Sequence, residues 1–194
     1  MGHILIFDTE TSGLPPYKMI NNKRSIACPE KYASYWVDCR LIELGWLLYT
    51  SEGTLIKSSS SIIKPDIDFL IPIEAARIHG ITTEKARKEG RNIQEVLKEF
   101  IQDLELSDII VAHNMDFDYN IILSELIRFN YPKDVITSKK RICTMKDYLK
   151  PTQKWPKLSE LYYQSFGKPM FQSHRALEDA QACADIYFHI QGRT

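Results

Sequence analysis

Two carboxylates follow an apolar run near the start of the chain. The run His3-Ile4-Leu5-Ile6-Phe7 leads directly into Asp8, and Glu10 follows two residues later. On a β-strand, side chains at positions i and i+2 lie on the same face, with Cα atoms roughly 6–7 Å apart. Two negative charges held this close repel each other and lose hydration, so a positive group is expected between them. The spacing therefore predicts a binding site for a divalent metal ion.

Two later carboxylates face inward by helical periodicity. At about 100° per residue, Asp118 lies on the apolar side of its helix and Asp116 on the opposite side. Asp179 lies on an apolar stripe of the last helix. The apolar neighbours are Ile122, Leu126 and Phe129 for Asp118, and Cys183, Ile186 and Ile190 for Asp179. Either carboxylate alone is equally explained as a helix cap or half of a salt bridge, but inward carboxylates from separate elements favour one shared site.

His174 is a candidate general base beside these carboxylates. It precedes Asp179 by five residues, which is about 140° around a helix. Both side chains can face one site only if His174 lies in the loop or first turn, with Ser173 or a neighbour as the helix cap. A lone histidine is more often a surface or capping residue. Next to an acidic metal site, however, an imidazole with a pKa near neutrality is suited to taking a proton from water.

The elements that must position these side chains alternate between strands and helices. The predicted strands are residues 3–8, 41–49, 54–63, 109–112 and 141–145. The predicted helices are residues 72–78, one capped by Thr82, 92–105, one beginning near Asp116, 158–166 and 174–190. A turn at Ser51-Glu52-Gly53 makes the second and third strands an antiparallel hairpin. The pattern predicts an α/β fold, with a mixed sheet flanked by helices.

Length and composition favour a single domain over residues 1–194. The chain has 44% hydrophobic residues and no apolar run long enough to span a membrane. Its amino terminus lacks the features of a secretory signal, so we expect a cytoplasmic protein with no membrane partner. The four cysteines are widely spaced, which disfavours a zinc site or disulfide framework. A net charge of zero neither indicates nor excludes a nucleic-acid partner.

Three motifs together resemble those of a known enzyme family. They are Phe7-Asp8-Thr9-Glu10-Thr11-Ser12-Gly13-Leu14, His113-Asn114-Met115-Asp116-Phe117-Asp118 and His174-Arg175-Ala176-Leu177-Glu178-Asp179-Ala180. In this order they resemble the exonuclease motifs of the DEDDh, or DnaQ-like, 3′–5′ exonucleases. Residues 78–82 and 155–161 resemble further stretches of that family. The resemblance implies an RNase H-like fold whose central five-stranded sheet has the strand order 3-2-1-4-5.

The resemblance also implies a role for each site residue. Asp8, Glu10, Asp118 and Asp179 match the metal-binding carboxylates, and His174 matches the general base. The implied mechanism uses two Mg²⁺ or Mn²⁺ ions that clamp the attacking and leaving oxygens at phosphorus. Asp8 would bridge both ions, Glu10 and Asp179 would hold the ion carrying the attacking water, and Asp118 would act mainly through water. Oxygen ligands favour these ions over zinc.

Substrate contacts are expected beside the acidic site. The backbone at Thr11, Ser12 and Gly13 would meet the terminal nucleotide, and Leu14 resembles the apolar wedge of the family. Gly13 is equally explained by turn chemistry. Further candidate contacts to the nucleotide are His79, Asn114 and Phe117. For His79 and Asn114 a structural or turn-forming role is an equal alternative, and for Phe117 core packing competes with base stacking.

Two basic segments are candidates for contacts farther along the substrate. The first is Lys139-Lys140-Arg141, continued by Lys146, Lys150, Lys154 and Lys157, although such a run is more often a solvated face. The second is the long connection at 15–40, which carries Lys18, Lys23, Arg24 and Lys31 among aromatic residues. It departs from the short turn usual in the family. A substrate lid or a partner-docking loop would explain its length.

Three functions remain open at this stage. The first is a 3′–5′ exonuclease that acts on single-stranded or frayed DNA and resembles the proofreading subunit of bacterial DNA polymerase III, with a polymerase or other replication or repair protein as a candidate partner. The second is an RNA-directed relative such as RNase T or oligoribonuclease. The third is a catalytically silent nucleic-acid-binding domain. The metal-site motifs do not separate DNA from RNA, because the sugar 2′-hydroxyl is recognised by surrounding groups.

Overall fold

The computed structural model describes residues 2–147, 154–170 and 174–192, and it has a mixed β-sheet at its centre. The strands are β1 (His3–Thr11), β2 (Tyr17–Ile20), β3 (Lys23–Ile26), β4 (Leu41–Thr50), β5 (Leu55–Ile62), β6 (Ser107–Ala112) and β7 (Lys140–Cys143). The helices are α1 (Pro29–Tyr32), α2 (Ile73–His79), α3 (Thr83–Glu89), α4 (Ile93–Leu106), α5 (Met115–Arg128), α6 (Asp134–Thr137), α7 (Leu158–Phe166) and α8 (Ala176–Ile190). The predicted alternation of strands and helices is confirmed.

The central sheet has five strands in the order β5-β4-β1-β6-β7. Strand β4 is antiparallel to both β1 and β5, whereas β6 is parallel to both β1 and β7. Numbered only among the strands of this sheet, the order is 3-2-1-4-5, so the predicted topology of an RNase H-like fold is confirmed. Strand β1 is the central strand: β4 pairs with it from His3 to Thr11, whereas β6 pairs with it only from His3 to Ile6.

Strand β1 is buried on both faces, and each face belongs to a different part of the core. Leu5 and Phe7 pack with apolar residues of α4 and α5, and Phe7 meets Phe100 edge to face. Ile4 and Ile6 pack on the opposite face with residues of α8. Alternate side chains of a strand point to opposite faces, so the near-continuous apolar run is what a central strand between two helical layers requires.

Strand β1 runs three residues beyond its predicted end at residue 8. Pairing with β4 continues past Asp8, which lies opposite Gly45, to Glu10, which lies opposite Glu43. Antiparallel pairing sets the strand length here, because hydrogen bonds to β4 hold the polar end of β1 extended. Both carboxylates therefore lie inside the strand and on one face, as their i, i+2 spacing requires.

The last helix begins two residues later than predicted, at Ala176 rather than at residue 174. His174 has a φ of 49°, which lies in the left-handed region and is incompatible with a right-handed helical turn. His174 therefore lies in the loop, which is one of the two positions that its spacing from Asp179 allows. The neighbouring Ser173, considered as a cap, lies outside the described residues.

The connection at 15–40 is folded rather than structureless. Strands β2 and β3 form a hairpin, and α1 and a 3₁₀ turn at Ala33–Trp36 follow it. Trp36 is almost fully buried and donates its indole N–H to the Ala27 carbonyl at 2.9 Å. The ends of the connection are joined at Ser12, whose hydroxyl donates to the Asp38 carbonyl and accepts from the Arg40 N–H. Its length is accommodated by secondary structure of its own.

A buried charged group also anchors the end of this connection. Glu125 on α5 is fully buried and accepts from Arg40 Nε at 3.0 Å, from the Leu41 N–H at 3.1 Å and from Arg128 Nε at 3.0 Å. Two arginines and a backbone amide thus compensate one buried carboxylate, which is the condition for a stable buried charge.

Among the helices of the described ranges, none has the length and apolar character needed to cross a bilayer.

Candidate active site

Three carboxylates from two elements converge at the polar end of β1. Asp8 and Glu10 come from β1, and Asp179 comes from the first turn of α8. One oxygen of each carboxylate lies within 4.8 Å of the other two. The sequence separates Asp179 from the first two residues by almost the whole chain, and the packing of α8 on the face of β1 and β4 brings it back.

Asp118 lies beside this group but is held in a different way. It is 2% exposed, and its Oδ1 accepts the Thr9 backbone N–H at 2.9 Å and the Thr9 hydroxyl at 2.7 Å. Thr9 stands between Asp8 and Glu10 on β1, so Asp118 is tied to the same strand from the α5 side. Asp116, expected to point away, is exposed and pairs with Lys146. The predicted inward position of Asp118 and outward position of Asp116 on α5 are therefore confirmed.

Burial and neighbouring negative charges raise the pKa values of all four carboxylates. Burial, followed by the charges of Asp118 and Asp179, raises the pKa of Asp8 well above its ordinary value. Burial, followed by the charge of Asp179, raises the pKa of Glu10 to about 8. Burial raises the pKa of Asp118 to about 7 against the opposing effect of the Thr9 hydrogen bonds. Burial also raises the pKa of Asp179 to about 6. The protein supplies too little positive charge here to balance these groups.

The donor set fits a hard divalent cation. The Oδ1 atom of Asp179 is buried and has no hydrogen-bond partner among the described residues. An unpartnered buried carboxylate oxygen is costly, and a cation coordinated there would remove that cost. All the converging ligands are oxygens, which Mg²⁺ and Mn²⁺ prefer, and no cysteine or histidine joins the three-carboxylate group in the described ranges.

His174 lies next to Asp179 at the solvent side of the site. Its side chain is exposed, and its positive charge, when protonated, lowers the pKa of Asp179. The left-handed backbone at His174 is uncommon for a residue other than glycine, asparagine or aspartate. Such a conformation persists only where neighbouring contacts hold it, and it allows the imidazole to face the carboxylates from outside the helix.

A cleft of about 340 Å³ adjoins the carboxylates and shares Glu10 with them. The predicted contacts that line it are Thr11, Ser12, Gly13, Leu14, His79 and Phe117. Leu14 is 74% exposed, so an apolar side chain is presented to solvent at the rim. The cleft lies within the usual size range for a small-ligand pocket. It can hold one nucleotide-sized group against the acidic cluster.

Structural roles account for several of the predicted contacts. The Ser12 hydroxyl is used by the 38–40 backbone. Asn114 has a φ of 63° at the start of α5 and does not line the cleft, in agreement with the turn-forming alternative. The His79 Nδ1 accepts the Ile81 N–H at 3.1 Å, and burial lowers its pKa. Its Nε2 is buried near the Thr11 backbone without a hydrogen bond of normal geometry among the described residues.

The basic run that follows α6 is only partly free to bind phosphate. Lys139 donates to the Ser107 carbonyl, and Lys146 pairs with Asp116. Lys140 and Arg141 are exposed on the edge strand β7. Lys150, considered as part of this run, lies outside the described residues.

Sequence reasoning missed Glu43 and Glu74. Glu74 lines the cleft from α2. Glu43 is fully buried on β4, opposite Glu10, and forms an ion pair with Arg175 at 2.6 Å. The available signal was a single carboxylate in the apolar run Leu41-Ile42-Glu43-Leu44, because a charge on a buried strand requires a partner.

A family model and two named relatives match most of this chain. A family model described as Exonuclease (RNase_T) matches residues 5–187. The chain is 28% identical over 189 residues to proteins named DNA polymerase III PolC-type from Thermotoga petrophila and from Thermotoga maritima. Each match covers 94% of this chain but only 11% of the relative, so the chain corresponds to a small part of those proteins.

Comparison with solved structures supports the fold. The chain superposes on exonuclease I with a TM-score of 0.74 at 18% identity, which covers all of this chain and 42% of the other. A structure of Escherichia coli exonuclease I in complex with a dA16 oligonucleotide gives a TM-score of 0.71 at 18% identity and covers 41% of that protein. At this level of identity, the similarity establishes a shared fold.

Proposed function

This chain belongs to the exonuclease family of DEDD-type 3′–5′ enzymes, and we propose that it releases nucleoside 5′-monophosphates from the 3′ end of DNA. We further propose that single-stranded or frayed ends are its preferred substrates and that residues 1–194 act as one exonuclease domain. The observation that carries the proposal is the convergence of Asp8, Glu10 and Asp179 within 4.8 Å at the end of a nucleotide-sized cleft.

The carboxylates are proposed to hold two Mg²⁺ or Mn²⁺ ions. Asp8, Glu10 and Asp179 would provide direct ligands, and Asp118, whose Oδ1 already accepts two hydrogen bonds, would act through water. When bound, such ions stabilise the negative charge that develops at phosphorus and make water a stronger nucleophile. The raised pKa values support this assignment, because a cation would replace the protons that the carboxyl groups otherwise retain.

His174 is proposed to remove the proton of the attacking water. Its exposed imidazole lies beside Asp179 but outside the buried cluster, so it can exchange protons with solvent. A histidine is well suited to this step, since its ordinary pKa lies near neutrality. The helix begins at Ala176, so His174 belongs to the loop that precedes α8.

The cleft is proposed to receive the terminal nucleotide. Leu14 at the rim would pack against its base, and Phe117 of α5, which also lines the cleft, would contribute apolar surface. The backbone of Thr11 to Gly13 would contact the sugar and phosphate between the base and the carboxylates. These contacts would align the last phosphodiester bond with the acidic cluster, and alignment by itself accelerates the reaction.

The preference for DNA is supported by the relatives. The PolC-type relatives are DNA polymerases by name, and an exonuclease I of the same fold is described with bound DNA oligonucleotides. On the same basis we propose that a DNA polymerase or another replication or repair protein is a partner. Cytoplasmic localisation stays a prediction.

The decisive experiment compares 5′-end-labelled single- and double-stranded DNA and RNA of one sequence with the intact chain and Mg²⁺ or Mn²⁺. We expect stepwise shortening from the 3′ end, fastest on single-stranded DNA, and no cleavage in excess chelator. A faster rate on RNA would replace the DNA assignment with the RNA-directed alternative. Cleavage that persists in excess chelator, or no cleavage of any substrate, would overturn the proposed mechanism.

A further inference from the structure

We propose that Glu43 and Arg175 form a positioning clamp that holds Asp179 and His174 in place at the metal site. This inference rests on the proposed function, because it concerns how the same site is assembled. Neither clamp residue is proposed to touch metal or substrate. Their role is to fix the start of α8 on the sheet against the mutual repulsion of the carboxylates.

The carboxylate of the clamp, Glu43, is buried, and its hydrogen-bonding capacity is fully used. Arg175 Nη2 donates a hydrogen bond to Glu43 Oε1 at 2.6 Å. Arg175 Nε also donates to both carboxylate oxygens of Glu43, at 3.0–3.1 Å. Its Oε2 also accepts the Ala176 backbone N–H at 3.2 Å, and Oε1 accepts the Ser60 hydroxyl at 3.2 Å. Glu43 lies opposite Glu10 in the sheet, yet these bonds leave it little capacity to coordinate an ion.

The clamp replaces a missing helix cap. Arg175 is the N-cap residue of α8, and no side chain caps this end in the usual local way. The first amide of a helix normally needs an acceptor, and a negative charge near the N-terminus is favourable. Glu43 supplies both from a different element, since its carboxylate binds the Ala176 N–H and the Arg175 side chain together.

Arg175 stands between the two residues that the site needs from this segment. His174 immediately precedes it, and the Arg175 carbonyl accepts the Asp179 N–H at 3.1 Å. A shift of Arg175 therefore moves the general base and a metal ligand together. The left-handed backbone at His174 also requires fixed neighbours, and the Glu43 contact provides one.

A glycine on β4 sets the height of the helix above the sheet. Gly45 lies two residues after Glu43, so both positions are on the same face of β4. A Cβ atom at Gly45 would lie 2.3 Å from the Leu177 N and 2.5 Å from the Ala176 carbonyl carbon, which is sterically impossible without a shift. Gly45 permits close contact between the helix backbone and the strand, and Glu43 fixes the helix once it is there.

The physical need for such a clamp comes from the site itself. One oxygen of each of Asp8, Glu10 and Asp179 lies within 4.8 Å of the other two, and ionised carboxylates at this distance repel one another. Asp8 and Glu10 belong to β1, and Asp118 is hydrogen-bonded to Thr9 of the same strand. Asp179 belongs to α8, which meets β1 through apolar side-chain packing, so repulsion would displace the start of α8 first. The Glu43–Arg175 pair opposes that displacement and keeps Asp179 available as a ligand.

The test compares Glu43→Gln and Arg175→Lys with Glu125→Gln, a matched control at another fully buried, arginine-paired glutamate. Mn²⁺ affinity is measured by titration calorimetry without substrate, and kcat and KM are measured on single-stranded DNA. We expect Glu43→Gln to weaken Mn²⁺ binding by about 10–100-fold, as for other residues that orient ligands, and to lower kcat more than KM. Arg175→Lys keeps the charge but loses the fork geometry, so its effect should be smaller.

A second measurement tests the clamp without metal or activity. In amide hydrogen exchange of the metal-free chain, the Ala176 and Asp179 amides should exchange faster in Glu43→Gln than in the wild type, relative to the core amides of the same protein. In Glu125→Gln, whose loss of stability is global, this ratio should stay that of the wild type. If Glu43→Gln does not fold, Arg175→Lys gives the same comparison with the buried carboxylate retained.

The outcomes separate this inference from the proposed function. Wild-type Mn²⁺ affinity, kcat and exchange in the folded Glu43→Gln protein would overturn the clamp and leave the exonuclease proposal standing. An equal loss of Mn²⁺ affinity in Glu125→Gln would also overturn it, because general destabilisation would then explain the effect. If the wild type neither binds Mn²⁺ nor cleaves nucleic acid, the proposed function fails, and the exchange measurement still decides whether the clamp holds α8.

Discussion

Two groups of carboxylates, one fully buried and one mostly half-buried, are held in opposite ways in this protein. Glu43 and Glu125 are fully buried, and each binds a backbone amide together with one arginine side chain for Glu43 and two for Glu125. The carboxylates of the acidic cluster, by contrast, face mainly one another, and one oxygen of Asp179 has no partner among the described residues. The two groups meet on neighbouring strands, where Glu10 of β1 lies opposite Glu43 of β4.

The contrast separates carboxylates that the fold itself neutralises from carboxylates that need a bound cation. A buried carboxylate paired with arginine is satisfied when the chain folds, and removing it leaves an uncompensated cation. A carboxylate surrounded by other carboxylates is satisfied only when a cation arrives, so removing it relieves repulsion in the metal-free protein. Substitutions in the two groups should therefore have opposite signatures in stability and in activity.

The largest expected effect is the loss of activity in Asp8→Asn. We expect the rate to fall more than about 1,000-fold, because even residues that only orient metal ligands contribute about 10–100-fold. The metal-free variant should unfold at the same or a higher temperature than the wild type, since one source of repulsion is gone. Exonuclease assays and thermal unfolding measure the two effects. Asp116→Asn, an exposed carboxylate on α5, is the control and should retain activity.

The next effect is on stability, in Glu125→Gln. Loss of this charge should lower the free energy of unfolding by about 3 kcal/mol, the lower end of the range for a broken buried pair, because both arginines reach solvent. Urea unfolding measures this change, and the rate on DNA should be that of the wild type for the folded fraction. A stable Glu125→Gln protein would remove the distinction between the two groups.

Metal binding should stabilise the wild type in proportion to occupancy. At a Mn²⁺ concentration 100 times the dissociation constant, we expect a gain of about 2.7 kcal/mol in the free energy of unfolding. In Asp179→Asn, which removes a ligand from the group of three, the same Mn²⁺ concentration should give a much smaller gain. Equal stabilisation of both proteins would show that the ion binds elsewhere.

The stability of the metal-free protein should fall as the pH rises. The folded-state pKa values of Asp179, Asp118 and Glu10 are raised to about 6, 7 and 8, whereas those in the unfolded chain lie near 4. Between about pH 4 and pH 8 the folded state therefore holds more protons than the unfolded state, and deprotonation destabilises it. Thermal unfolding in chelator across this range measures the trend. Saturating Mn²⁺ should flatten it and release protons on binding.

The smallest expected effect concerns the substrate cleft. Leu14→Ala removes exposed apolar surface at the rim, and we expect KM for single-stranded DNA to rise by about tenfold, which corresponds to roughly 1.4 kcal/mol. The value of kcat should change less, because Leu14 is proposed to contact the base and not the phosphate that reacts. Leu55→Ala, at an exposed leucine on β5, should leave KM unchanged. An unchanged KM in Leu14→Ala would remove this residue from the proposed cleft contacts.

Local pattern predicted the framework of the fold. The strand and helix order, the antiparallel hairpin of β4 and β5 and the inward face of α5 all depend on spacing within a few residues, which periodicity reports directly. The boundaries were less accurate. Strand β1 extends to Thr11 because of pairing with β4, and α8 starts at Ala176 because His174 adopts a left-handed backbone. These are effects of partners, not of the local sequence.

The sequence by itself determined which residues are candidates for the chemistry and which face of a helix or strand each candidate carboxylate occupies, because residue type and periodicity are local properties. The tertiary structure alone decided that Ser12 closes the 15–40 connection and that Asn114 forms a turn away from the cleft. It alone also joined Glu43 to Arg175, 132 residues later. A charged residue in an apolar strand indicates that a partner is needed, but only folding determines which distant group lies close enough to pair with it.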